Sequence, residues 1–315
     1  MHRRHALIAL TALVALVGVA SVVAAQVRTA YPDTRGIPLS AFPRVISLAA
    51  NVYGYEEIRS PGFTTVSLFV VGADGVLVAD GQGSPAATKT MLDAIAKVTP
   101  KPVRWYIVGS DHGDHTAGNS VLPKDVTYVV SKNSKAQMER DAANPNRQAN
   151  APPVIVPPVA MTHDTQVIDV GGIEVEARFL GRAHTGGDLV VYLPRQKILF
   201  MSEVYLNRVF PAMRSAYPTE WVGVIDKALT MDVERFVPGH GFIEEPTVSR
   251  EELVGFQKAL KAVIAEVNRL HAMGLSAEDA VTQAQWGPYQ DWFLRDQQAP
   301  VAVRRVYEEI EGKLK

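Results

Sequence analysis

G-S-D-H-G-D-H-T-A-G-N, residues 109–119, brings potential metal ligands together at high density. Two histidines and two aspartates lie within the five residues from Asp111 to His115. The apolar run V-R-W-Y-I-V from 103 precedes them, and we predict that it forms a buried strand. Loops at strand ends are where a rigid scaffold places chemistry. The stretch therefore predicts a metal-binding loop at the end of a strand.

The composition is that of an ordinary globular protein. The 315 residues are 21% charged and 47% hydrophobic, which is enough to bury a core. Lys and Arg number 32 against 33 for Asp and Glu, so the net charge of −1 gives no reason to expect a nucleic-acid partner. The chain has no cysteine, and any metal site must therefore use His, Asp and Glu.

Residues 1–25 have the pattern of a secretory signal peptide. Two arginines within residues 1–5 precede an apolar run over 6–25, and Val23 and Ala25 are small enough for the −3 and −1 cleavage positions. An uncleaved membrane anchor is the alternative, because about 20 apolar residues can span a bilayer. Polar and glycine residues dilute the run, which favours cleavage after Ala25. We expect a periplasmic or secreted protein with no membrane attachment after cleavage.

Apolar, β-rich runs occur in two blocks, and helical patterns follow each block. The runs begin near residues 51, 64, 75, 103 and 126 in the first block and near 165, 174, 189 and 197 in the second. Helices are predicted after Ser84, around 221–231, over 247–273, after Ser276 and around 301–314. Residues 144–158 form a proline-rich loop. Two strand blocks with helices outside predict two stacked sheets in a four-layer α/β arrangement.

Two further glycine-flanked histidines follow apolar runs. His184 lies in R-A-H-T-G-G-D, and His240 lies in V-P-G-H-G. Zn²⁺ takes neutral imidazole and carboxylate ligands at about 2.0–2.2 Å and prefers four of them. A bound Zn²⁺ lowers the pKa of its water to about 7, which makes hydroxide available at neutral pH. With the 109–119 stretch, these histidines predict a zinc site.

The order and spacing of these stretches resemble the metallo-β-lactamase superfamily. That family shows T-H-x-H-x-D-H, a glycine-flanked His, an Asp after a strand and a late G-H. This chain has S-D-H-G-D-H at 110–115, A-H-T-G-G-D at 183–188, L-F-M-S-E at 199–203 and V-P-G-H-G at 237–241. The D-G-Q-G at 80–83 is similar to the family's early Asp-x-Gly.

The resemblance covers residues 45–245 and implies a four-layer αββα sandwich of metallo-β-lactamase type with extra C-terminal helices. We accordingly expect a signal peptide over 1–25 and a loose lead-in segment over 26–45. The metallo-β-lactamase-like domain is expected to span 46–245. The remaining residues, 246–315, are expected to form a helical extension packed on the same domain.

The resemblance implies a first metal site that lacks one ligand. It would use His112 and His184, and Ser110 stands where the family has its first histidine. Neutral serine is a poor Zn²⁺ ligand beside imidazole, so we expect Ser110 to hold a water or to hydrogen-bond a ligand. Asp111 is a possible substitute carboxylate, but its side chain is expected to point away from that of Ser110.

The second implied site keeps a full set of ligands. Its members would be Asp114, His115, Glu203 and His240. Glu203 stands where the family usually has a bridging or terminal Asp. Since Glu is one methylene longer, it can still ligate but must pull back or bind differently. Asp80 is expected to steady the histidine loop from outside the ligand set. His163 and His271 are expected to lie outside the site.

These features predict an exported zinc-dependent hydrolase that acts on an ester, lactone, lactam or related bond of a small molecule. One ion would be held firmly, and a second is left open. Asp114 would orient the attacking water in a two-ion centre, and neutral His112 would be its general base in a one-ion centre. Arg208 could meet an anionic substrate or be a solvated loop arginine.

Two alternative functions stay open. The first is a β-lactamase proper. The second is a degenerate, non-catalytic family member that binds only a metal or a ligand, which the replacement of the first motif histidine by Ser110 would allow. Five matching ligand positions argue against such a degenerate member, namely His112, Asp114, His115, His184 and His240.

The signal peptide can be tested by N-terminal sequencing of the protein recovered outside the cytoplasm. We expect the mature chain to begin at Gln26, because cleavage follows the small residue Ala25. A chain that begins at Met1 would show that the apolar run is retained.

Overall fold

The computed structural model describes residues 27–59 and 62–314. The predicted signal peptide, residues 1–25, lies outside these ranges. Among the described residues, no helix combines the length and the apolar character that a bilayer crossing requires.

Eleven strands form two sheets within the described residues. From β1 to β11 they span Arg44–Ala49, Val52–Arg59, Phe63–Val71, Val76–Ala79, Val103–Ile107, Thr127–Val129, Thr165–Asp169, Glu174–Arg178, Val190–Leu193, Ile198–Phe200 and Arg235–Val237. The first sheet has the order β1-β2-β3-β4-β5-β6, antiparallel as far as β4 and parallel beyond it. The second has the order β11-β10-β9-β8-β7, antiparallel except for β10 with β11.

The helices cover the outer faces of the two sheets. From α1 to α7 they span Pro85–Val98, Gly113–Thr116, Lys132–Ala142, Pro218–Thr230, Pro246–Ala272, Ala277–Gln283 and Arg295–Ile310. Two of them, α1 and α6, begin directly after the capping serines that the sequence indicated. The Ser84 hydroxyl accepts a hydrogen bond from the Ala87 N–H, and the Ser276 hydroxyl accepts one from the Asp279 N–H, each at 3.1 Å.

Alternate residues along one strand pack into different layers. Leu68 of β3 lies in the cluster between the two sheets, together with Phe200 of β10. Phe69, the next residue of β3, lies in an outer cluster with Met91 of α1. Leu199 of β10 faces the opposite outer cluster, which contains residues of α4, α5 and α7. Both faces of each sheet are therefore covered, and the predicted four-layer αββα sandwich with C-terminal helices is confirmed.

The segment before β1 is anchored to the rest of the fold. Arg35 forms a salt bridge with Glu244, and both side chains are almost completely buried. The ring centroids of Tyr31 and Phe293 lie 4.6 Å apart. The lead-in is therefore not loose as the sequence suggested, and β1 already begins at Arg44, inside the predicted boundary of 26–45.

Three helices differ from the sequence prediction. Helix α3 was not predicted, because only Ser134 and Met138 of its residues are buried and the apolar period is weak. Helix α4 begins at Pro218 rather than at 221, since proline is well tolerated in a first turn. Helix α7 covers Arg295–Ile310 instead of 301–314, with Pro300 inside it.

Glu244→Ala is expected to lower the free energy of unfolding by about 3–5 kcal/mol, because it leaves the Arg35 guanidinium buried without its counter-charge. Urea denaturation followed by circular dichroism measures the change. The matched control is Asp93→Ala, which removes an exposed pair with Lys89 on α1 and should cost about 0.5 kcal/mol or less. Equal losses in both variants would contradict the anchoring role.

Candidate metal centre

Ligand-type side chains from both sheets meet at one edge of the sandwich. In the first sheet, Asp80 follows β4, and residues 110–115 follow β5 and continue into α2. In the second sheet, His184 lies between β8 and β9, Glu203 follows β10 and His240 follows β11. The three histidine stretches and Glu203 are distant in sequence, and the strand ends bring them together.

One group of four ligand atoms comes from Asp114, His115, Glu203 and His240. His240 Nε2 lies 3.0 Å from Asp114 Oδ2, 3.2 Å from His115 Nε2 and 3.3 Å from Glu203 Oε1. His115 Nε2 lies 3.8 Å from the same two carboxylate oxygens. Ligands at about 2.0–2.2 Å from one tetrahedral ion are roughly 3.3–3.6 Å apart, so these separations suit one four-coordinate ion.

A second group consists of His112, His184 and again Glu203. His184 Nε2 lies 3.0 Å from His112 Nδ1 and 3.2 Å from Glu203 Oε1. His112 Nδ1 lies 2.9 Å from Glu203 Oε2. The family resemblance gave the Glu203 position to a bridging or terminal carboxylate, and the structure places this carboxylate between the two groups.

Ser110 occupies the position where the family has its first motif histidine. Its hydroxyl donates a hydrogen bond to Glu203 Oε2 at 2.6 Å, and both side chains are buried. The longer glutamate thus extends towards the position of the shorter serine. Asp111 turns away and accepts a hydrogen bond from the Ser134 hydroxyl at 2.7 Å. Asp111 is therefore not brought to either ligand group.

Buried contacts determine which ring nitrogen of two histidines faces the centre. His240 Nδ1 lies 2.8 Å from the Thr64 carbonyl oxygen. His115 Nδ1 lies 3.0 Å from Asp80 Oδ2. In both residues Nε2 is left facing the other ligands, which is the usual arrangement of metal-binding histidines with an outer hydrogen-bond partner.

Asp80 also joins the two sheets behind the histidine loop. Its Oδ1 accepts a hydrogen bond from the Gly109 N–H at 2.7 Å, and its Oδ2 accepts one from the Ser202 hydroxyl at 2.5 Å. Asp80 and Ser202 both adopt left-handed backbone conformations, with φ of 61° and 47°. Such conformations are uncommon for non-glycine residues and cluster at functional sites.

Burial and charge pairing shift the pKa values of the ligand side chains. Burial opposes protonation of His112 and His240, but the neighbouring carboxylates outweigh it and raise both pKa values to about 9. Burial alone would raise the pKa of Glu203, yet His184 and His112 hold it well below its usual range. The pKa of His184 is lowered, chiefly by burial. A metal ion must displace the imidazole protons, so its affinity should fall as the pH falls.

The donor set fits a divalent metal ion. Imidazole nitrogens face each other at 3.2 Å in His115 with His240 and at 3.0 Å in His112 with His184. Two facing lone pairs repel unless a proton or a cation lies near both of them. Nitrogen and carboxylate oxygen donors without thiolates suit ions such as Zn²⁺.

A groove of about 290 Å³ gives access to both ligand groups. Its apolar wall includes Leu206 and Val209 from one segment and Leu294 from the start of α7. Arg59 and Arg214 also line it, and Arg59 donates a hydrogen bond to Asp114 Oδ2. Sequence reasoning missed these groove residues, because they come from segments with no motif spacing.

The remaining candidate residues lie elsewhere. Arg208 does not reach the groove and instead pairs with the buried Glu252, with Nε 2.5 Å from Oε2. His163 lines a separate small cavity. The ring of His271 lies 5.2 Å from that of Tyr307. Both histidines are thus outside the two ligand groups.

Comparison with known proteins gives distant sequence relatives. The chain is 24% identical over 213 residues to the 2,4-dinitroanisole O-demethylase subunit alpha of Nocardioides sp. (strain JS1661), which covers 62% of each chain. It is 23% identical over 205 residues to the metallo-beta-lactamase type 2 of Bacillus cereus, which covers 62% of this chain and 76% of that one.

Among solved structures, the inverting sec-alkylsulfatase Pisa1 from Pseudomonas sp. is similar in fold, with a TM-score of 0.66 at 16% identity. The match covers 84% of this chain and 50% of the alkylsulfatase. The chain therefore spans only 62% of the demethylase subunit and half of the alkylsulfatase. The family model described as the metallo-beta-lactamase superfamily matches residues 60–240, more than half of the chain. The chain belongs to the metallo-beta-lactamase superfamily.

Proposed function

We propose that the protein is an exported zinc-dependent hydrolase that acts on an ester, lactone, lactam or related bond of a small molecule. The observation that carries the proposal is Glu203, one buried carboxylate shared by two groups of histidines. Membership of the superfamily supports metal-dependent hydrolysis as the class of reaction. Zinc is proposed from the nitrogen and oxygen donors, and export from the signal peptide predicted over residues 1–25.

The two ligand groups divide the proposed centre between them. Asp114, His115 and His240 would hold one ion, His112 and His184 a second, and Glu203 would contact both. When bound, Zn²⁺ polarises the bond under attack and makes water acidic enough to supply hydroxide near neutral pH.

Asp114 is the ligand best placed to orient the attacking water. Its side chain is 17% exposed and lines the groove, whereas that of Glu203 is 5% exposed. Burial and the charge of Glu203 would raise the pKa of Asp114, but His115 and His240 outweigh them and lower it. The carboxylate therefore stays ionised and can accept a hydrogen bond from water.

The position of His112 favours a ligand over a general base. Its Nδ1 is directed at Glu203 and His184. Its Nε2 lies 3.2 Å from the Ser215 hydroxyl. Both ring nitrogens thus have neighbours, which supports the two-ion version of the proposal.

Removing the metal with a chelator should abolish hydrolysis across a panel of aryl esters, lactones and a chromogenic cephalosporin. Zinc addition should restore it, because in the proposed reaction the bound ion makes the attacking water acidic. His240→Ala should lose both bound zinc and activity, and His271→Ala is the control that keeps both. Full activity in metal-free protein would overturn the proposal.

The pattern of activity in the same panel separates the alternatives. Turnover confined to the cephalosporin would identify a β-lactamase, which is how the Bacillus cereus relative is named. Bound zinc without turnover of any substrate would favour a non-catalytic binding protein.

Exchange of the Ser110–Glu203 pair tests whether the glutamate is shared. Glu203→Asp should lower zinc content towards one ion per chain, because the shorter carboxylate withdraws from Ser110 and from the His112 group. Ser110→His alone should also lose zinc, since the new imidazole meets Glu203. The double variant should recover two ions. Zinc per chain is measured by elemental analysis after gel filtration.

Ser110→Ala is the milder control for this pair. It removes only the hydroxyl that donates to Glu203 Oε2, and it should weaken zinc binding by about 10–100-fold without adding bulk.

Two tightly held ions in the Glu203→Asp single variant would show that Glu203 does not serve both groups.

A further inference from the structure

A larger cavity of about 790 Å³ adjoins the metal groove. His112 and Arg214 line both spaces. Helix α3, the loop that carries His184, residues 214–217 and helix α7 form its other walls. We call it the arginine chamber. A molecule whose reacting bond lies in the groove can therefore place another part of itself in the chamber.

The walls of the chamber carry more positive than negative charge. Its basic members are Arg140, Arg182, Arg214 and Arg305, and its acidic members are Asp111 and Asp141. Asp111 accepts a hydrogen bond from the Ser134 hydroxyl at 2.7 Å. Asp141 accepts a hydrogen bond from Gln137 at 2.8 Å. Both acids are thus engaged with α3.

Two of the arginines are held in place by protein partners. Arg182 pairs with Glu220, and its guanidinium lies 3.9 Å from the centre of the Tyr217 ring. Arg305 donates hydrogen bonds to the Ala216 carbonyl at 2.6 Å and to Glu308 at 2.8 Å. These contacts hold two guanidinium groups in place beside the Tyr217 ring, while Glu220 and Glu308 balance their charges from outside the chamber lining.

Arg214 is different from these two. Within residues 27–59 and 62–314 it has no hydrogen bond or ion pair, and its side chain is exposed. Its planar guanidinium carries donors that match two oxygens of a carboxylate, sulfate or phosphate. It lies on the border between the chamber and the metal groove.

We propose that the arginine chamber binds an oxyanion group of the substrate, with Arg214 as the residue that determines specificity for it. The group is one that does not react, such as a carboxylate or a sulfonate, carried by a molecule whose scissile bond reaches the ligand groups. In this respect the inference rests on the proposed function. Arg182 and Arg305 are engaged in ion pairs with Glu220 and Glu308, so of these three arginines Arg214 is the one whose guanidinium can turn to the anion.

Calorimetric titration of the zinc-loaded protein tests the chamber without turnover. The probes are benzenesulfonate and its neutral analogue methyl phenyl sulfone. We expect benzenesulfonate to bind about tenfold or more tightly than the sulfone, because a charge-assisted hydrogen bond contributes on that scale. Arg214→Gln should abolish the preference, and Arg214→Lys should keep part of it.

Arg195→Gln is the matched control. Arg195 is an exposed arginine in the turn between β9 and β10, at the opposite end of these strands from His184 and Glu203. It should leave the preference for benzenesulfonate unchanged. Equal affinity for the two probes would overturn the proposal. An undiminished preference in Arg214→Gln would also overturn it, since the anion would then bind without Arg214.

A kinetic comparison links the chamber to hydrolysis. The paired substrates are 3-acetoxybenzoate, which carries a carboxylate, and its neutral methyl ester. Arg214→Gln should lower the ratio of kcat/KM for the anion to kcat/KM for the methyl ester about tenfold, mainly by raising KM for the anion. A constant ratio would contradict a role in substrate selection. If anion binding through Arg214 is found but no substrate is hydrolysed, the chamber stands and the proposed hydrolase function fails.

Discussion

The hydrogen bond from Ser202 to Asp80 ties the two sheets together at the edge where the ligands meet. Metal ligation tolerates errors of only about 0.2 Å, so a metal centre built from both sheets would require that they do not slide past one another. Asp80 also accepts a hydrogen bond from Gly109 at the end of β5 and lies beside His115. The left-handed backbone of Asp80 and Ser202 is the local strain that this junction requires, and the surrounding core maintains it.

Charge balance is the second constraint on the centre. Glu203 and Asp114 are carboxylates that burial would neutralise, and the surrounding imidazoles keep both ionised. Two of these imidazoles, His112 and His240, hold protons more firmly for that reason, with pKa values of about 9. A metal ion bound by this cluster would compete with protons for the same imidazole nitrogens, so its binding would depend on pH.

Local patterns in the sequence were enough to predict the four layers and the loops that carry the ligands, because strand periodicity, serine caps and glycine-flanked histidines act over short distances. The hydrogen bond from Ser110 to Glu203 could not be predicted, since it depends on the space that the shorter serine leaves beside the longer carboxylate. Arg59 and Arg214 come from separate segments with no spacing signal. The anchored lead-in depends on the pair of Arg35 with Glu244, 209 positions apart. Helix α3 buries too few side chains to show a period.

The contact between Ser110 and Glu203 has a consequence for ancestry and classification. If the serine alone changes to histidine, the new imidazole clashes with Glu203. If the glutamate alone changes to aspartate, the space beside Ser110 is left unfilled. Lineages should therefore retain the serine and the glutamate together or change both together. Sorting relatives by the number of motif histidines would register only the change at Ser110, whereas sorting by the pair of positions would also register the glutamate that contacts it.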